Sequence, residues 1–289
     1  MMRVHLSLVA AALVTLPISV VAQDAPSQSP APATGGKDIV VTARERTVID
    51  QFVQNLTDPA RSDQVPRWDL PLCTGIVGLA PKHAVVLNGR IEETARAIGY
   101  PVGKEGCRPN AVVLVTRNPE EIAARLRSRY PRTLGQEGRA RLRHFADTTQ
   151  PVRWISQVAE LPFDGSPVKD ANGLANGAGR AIGVGRLSGS RLQKSTRTVL
   201  DNMLVIVDAE RLAGLSLRQI GDYLAMVVLA RPPLEANAPE GSILSVFDQG
   251  SSVAGLSDND RAFLRALYAA PDSVSAQVQR SAMRKAMER

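Results

Sequence analysis

The sequence predicts a single α+β domain behind an export signal. Three observations predict it. Windows with apolar residues at helical spacing alternate with short β-branched runs, in the order helix, strand, helix, strands, helix, helix. Hydrophobic residues make up 44% of the 289-residue chain and aromatics only 4%, so the core is expected to be built from Ala, Val, Leu and Ile. The first residues form a short apolar run with small residues at its end.

Residues 1–22 read as a signal peptide. Arg3 gives a positive start, Leu6 to Val21 is apolar, and Val20 and Ala22 put small residues before a cleavage site after Ala22. The apolar run, about 15 residues, is shorter than the roughly 20 that span a bilayer; a retained anchor is the other reading. Residues 23–37 (QDAPSQSPAPATGGK) bury little and predict a disordered linker. The run 38–43 (DIVVTA) is β-prone, and 44–57 predicts a short amphipathic helix with Val48, Phe52 and Val53 on one side. The segment 23–64 is grouped as linker, and the domain proper is expected over 65–289.

Within it, 81–99 predicts a helix with Leu87, Ile91, Ala95 and Ile98 on one face and Gly99 at its end. Residues 111–116 (AVVLVT) predict a buried strand. In the helix expected over 119–130, acids come first and arginines last, as the helix dipole prefers. A strand is expected over 152–161, a loose Gly-rich region over 164–190, and two strands over 192–200 and 203–209. Ser216 and Gln219 form a capping-box signal for a helix over 216–231 that Pro232 and Pro233 stop. Ser257 starts another helix, to Tyr268, and 273–289 predicts a last basic amphipathic helix.

The two cysteines, Cys73 and Cys107, are the whole complement. In an exported chain such a pair forms a disulfide, stabilising by roughly 3–4 kcal/mol on the chain-entropy argument; two separate thiols are the alternative. Net charge is +7, Arg-dominated and densest over 125–143. No aromatic residues interleave with it as a nucleic-acid platform needs, so no nucleic-acid partner is expected. An anionic envelope surface or plain solvation fits better.

The chemistry-bearing motifs are weak. Asn176 to Gly183 (NGAGRAIG) lacks the strand before and helix after that a dinucleotide loop requires. No G-x-S-x-G elbow is present, Ser188-Gly189-Ser190 being the nearest approach. His83 and His144 are the only histidines after the signal peptide, too few and too far apart for a zinc set, and no metal or other cofactor is expected.

Several runs together resemble a family of bacterial secreted proteins that looks like zincin metalloproteases. They are MLVIVDA (203–209), LRQIGDYLAMVVLAR (217–231) and GLSDNDRAFLRALY (255–268). The resemblance implies a zincin-like domain with a mixed sheet, an active-site-like central helix and C-terminal helices. In zincins that helix carries His-Glu-x-x-His, whose i,i+4 spacing aims both imidazoles at the metal. Here Gly221, Asp222 and Ala225 stand at those places. Glycine and alanine cannot bind zinc. Asp222 keeps a carboxylate and is a weak catalytic candidate; pairing with Arg218 at i,i+4 is the plainer reading.

A second resemblance is to the TonB box of outer-membrane receptors, carried by Asp38, Ile39, Val40, Val41, Thr42 and Ala43. It implies strand addition to a periplasmic protein partner; pairing with the domain's own sheet is the alternative. The expectation is therefore a periplasmic or secreted, non-catalytic binding or accessory protein. A metal-independent hydrolase of envelope peptides or glycans is the first alternative. Another is an envelope-surface partner, either through residues 38–43 or through the last helix, with Arg280, Arg284 and Lys285 outward and Val274, Val278 and Met287 inward.

Overall fold

A computed structural model describes residues 42–60, 63–162 and 194–289. The segments expected to be a signal peptide and a linker, residues 38–41 and the Gly-rich region with Asn176 and Ser188 lie outside the described residues. Val40–Arg289 forms one compact unit, so the boundary expected at 65 falls inside it.

The reason is α1 (Ala43–Leu56). Thr42 caps it and exchanges hydrogen bonds with Glu45. Phe52, Val53 and Leu56 have no exposed surface and belong to the main core. A linker assignment fails for this helix because its apolar face is completed only by C-terminal residues such as Phe263, whose ring lies 6.2 Å from that of Phe52.

Five strands form one sheet: β1 (Arg67–Trp68), β2 (Thr74–Val77), β3 (Ala111–Thr116), β4 (Val152–Pro162) and β5 (Thr196–Asp208). The hub is β5. One edge pairs parallel with β3 over Met203–Asp208 and with β1 at Val199 and Leu200; its other edge pairs antiparallel with β4. β2 lies parallel to β3 on the far side. The sheet is thus mixed, with β4 as its antiparallel member. The two strands expected over 192–200 and 203–209 are one. The polar pair Asp201-Asn202 is a β-bulge, the register against β4 stepping from Asn202 to Leu200 across Gln157 and Val158.

Helices cover both faces. α2 (Pro81–Ala97) and α6 (Leu217–Ala230) pack on one, where Met203, Val205 and Val207 join the main core. On the other, α3 (Pro119–Arg129) and α5 (Arg139–Asp147) enclose a second cluster with Ile155 and Ile206. A one-turn α4 (Pro131–Leu134) joins them. β5 is therefore apolar on both sides, as buried strands in covered sheets are.

The basic run over 125–143 conceals α5, whose Leu142, Phe145 and Ala146 are buried. Several of its arginines are matched: Arg125 to Glu121, Arg127 to Asp147 and Arg141 to Asp58, each at 2.6 Å. Cys73 and Cys107 are bonded, with Cα atoms 6.2 Å apart, fastening the start of β2 to the turn before β3. Gly103 admits this loop, since a Cβ there would sit 2.7 Å from the Cys107 sulfur.

α7 (Asp258–Ala269) and α8 (Ala276–Met287) close the chain over α1. The inward face of α8 is Ala276, Gln279 and Met283, with Met287 packed against the core as expected, while Val278 is half exposed. Arg280 bonds the Thr57 hydroxyl and carbonyl at the end of α1, and Arg284 pairs with Asp50 at 2.5 Å. The division expected for α8 is thus corrected: two of its three outward cations are occupied by α1, and Lys285 alone stays exposed without an ion pair among the described residues.

Candidate functional site

α6 is the helix on which the sequence concentrates attention. Ser216 and Gln219 cap it reciprocally, and Gln219 also donates to the Val253 carbonyl at 2.8 Å. From Ile220 to Ala230 every residue is buried, so this helix runs through the core with little of an amphipathic face.

Gly221, Asp222 and Ala225 all face protein. At Gly221 a Cβ would lie 2.7 Å from Arg90 Cβ and 3.0 Å from Arg90 Cγ, so glycine is what lets α2 approach this closely. Ala225 has no exposed surface. Asp222, also fully buried, accepts from Arg90 Nε at 3.0 Å and Arg90 Nη2, both on Oδ1. Its Oδ2 accepts from the Leu256 N–H at 3.1 Å. Arg218, the partner the i,i+4 spacing predicts, stands at 3.9 Å and is largely exposed. Gly255 is required beside it, because a Cβ there would come within 2.5 Å of Oδ2. The carboxylate joins α2, α6 and the 253–256 loop, and both oxygens are spent on that task.

A general base must reach a substrate proton. Asp222 has no open surface from which to do so. The metal test gives the same direction: neither Gly221 nor Ala225 offers a donor atom, and the carboxylate between them is already held by a guanidinium. The residues do not fit a zinc ion. Among the described residues no group of three or more His, Cys, Asp and Glu is arranged to hold a metal. His144 lies on α5 with Nε2 3.4 Å from Glu235, while His83 sits in the first turn of α2.

Thr42 and Ala43 of the TonB-box-like run are the cap and first residue of α1. No helix among the described residues is long and apolar enough to cross a membrane.

Two features were missed in the sequence. Arg231 follows α6 in the left-handed region (φ 48°), the role usually given to glycine. Its buried guanidinium donates to Ser156 Oγ at 2.7 Å, to the Asp58 carbonyl at 2.8 Å and to Glu137, and Arg141 joins the same acids. The only signal was an arginine just before Pro232-Pro233, too common to read. The other is a pocket of about 410 Å³ beyond the end of α6, where Trp154 of β4, Tyr223 of α6 and Phe247 meet. These residues are 93 positions apart at the extremes, and only the fold unites them.

No protein-family model, curated protein or solved structure matches the chain.

Proposed function

We propose that this chain is an exported cell-envelope protein that binds rather than cleaves, built on a zincin-like domain whose catalytic helix serves packing. One observation carries the reading. At the three positions where a zinc peptidase would present its ligands and base, α6 has Gly221 against Arg90, a buried Ala225, and an Asp222 consumed by Arg90 and the Leu256 N–H. The long strand β5, followed after a short 3-10 turn by α6, the mixed sheet and the helices α7 and α8 support the resemblance in layout. The Cys73–Cys107 bond supports an oxidising compartment.

The test is metal analysis of the mature chain purified from cells grown with added zinc, together with a peptide-cleavage assay. The reading expects no stoichiometric zinc and no turnover. Stoichiometric zinc with cleavage that a chelator abolishes would refute it.

A further inference from the structure

The pocket beyond α6 differs in chemistry from the rest of the surface. The chain holds 35 Lys and Arg against 28 Asp and Glu, yet no Lys or Arg lines this pocket, while Glu235 and Asp248 do. Trp154, Tyr223 and Phe247 line it, with Leu234 and the amides of Gln150 and Asn237. Tyr223 and Phe247 meet edge to face, centroids 5.0 Å apart at 83°, so one ring of the pair keeps both faces clear of the other. At about 410 Å³ the space suits a small organic group.

Two polar groups point to what that group is. Tyr223 is only 8% exposed, and its hydroxyl has no hydrogen-bond partner among the described residues. It lines the pocket and is not one of the sealed polar atoms of the core. Burial, and after it the charge of Asp248, push this phenol far above its ordinary value, so it remains a neutral hydroxyl. Asp248 is exposed and pairs with no cation among the described residues, whereas Glu235 has His144 at 3.4 Å. An aromatic lining, an unpartnered phenol oxygen and a carboxylate with no cation beside it together favour an organic cation. Among the described residues no group of three or more His, Cys, Asp and Glu stands here to hold a metal ion.

We infer that this pocket is a binding site for an organic ammonium group. The inference rests on reading the chain as a binding protein, but its failure is separable: zinc content says nothing about the pocket, and ammonium titration nothing about zinc.

The experiment is calorimetric titration of the mature chain with tetramethylammonium and n-butylammonium, and with n-butanol and butyrate as neutral and anionic counterparts. Both ammonium ions are expected to saturate, and butanol and butyrate to bind about tenfold more weakly or not at all. Asp248→Asn, an exposed change that circular dichroism should show to be folded, is expected to weaken ammonium binding about tenfold. Butanol binding as tightly as butylammonium would make the pocket merely apolar and overturn the inference. So would unchanged affinity in Asp248→Asn, or no saturation by either ammonium ion. A lysine-containing tripeptide distinguishes sources within the same chemistry: tighter binding than butylammonium assigns the head group to a peptide, weaker binding to a free amine.

Discussion

Asp222 and Asp260 are both without exposed surface, and their surroundings differ in one respect. Asp222 faces a guanidinium. Asp260 faces only neutral donors: the Ser242 hydroxyl at 2.6 Å, the Ile243 N–H at 2.9 Å, and the N–H and hydroxyl of Ser257, each at 2.9 Å. Burial pushes the Asp260 carboxyl above its ordinary value, and the donors offset only part of that. Between the unfolded value, about 3.9, and the higher folded one, the folded state holds a proton that the unfolded chain has released. The stability this residue gives is full below the unfolded value and is lost as pH rises through the folded one. Asp260→Asn lacks the titration. In urea unfolding, the advantage of the native chain over Asp260→Asn should shrink between about pH 4 and about pH 7. An advantage that widens with pH would mean that the four hydrogen bonds outweigh burial.

At the scale of elements, the contact of α2 with α6 governs the candidate site. Gly221→Ala separates two effects of opposite sign. Alanine favours an interior helical position over glycine by about 1 kcal/mol. Against that, its Cβ would overlap the Arg90 stem at 2.7 Å, and the stem cannot swing away while its guanidinium is held by Asp222. Overpacking of this kind costs about 1–3 kcal/mol. We expect a net loss of about 1 kcal/mol by chemical denaturation; a gain in stability would show that α2 moves aside freely.

Elements with self-contained signals were legible in the sequence. The capping box at Ser216 and Gln219, the Gly99 stop with φ 78° and the six residues of β3 lie where spacing and caps put them. Elements that need a distant partner were not. β1 is two residues long and exists only because Val199 and Leu200 pair with it. α5 hides three core residues among arginines, and Asp201-Asn202 imitates a strand end although β5 continues through it.

Over the whole molecule the same division holds for function. The sequence alone shows that Gly221 and Ala225 cannot ligate a metal. It could not show that Arg90, 132 positions away, completes Asp222. Nor could it show that Trp154, Tyr223 and Phe247 converge, because that depends on β4 lying beside β5 and on the chain folding back after Pro233.

The carboxylate on α6 fastens α2 and the 253–256 loop to the core. A double-mutant cycle on Arg90→Ala and Asp222→Asn, read by urea unfolding, tests this role most directly. The two losses should be strongly non-additive, with a coupling of about 1–3 kcal/mol. Losses that add within about 0.5 kcal/mol would contradict it, since Asp222 would then be buried for some purpose other than holding α2 to α6.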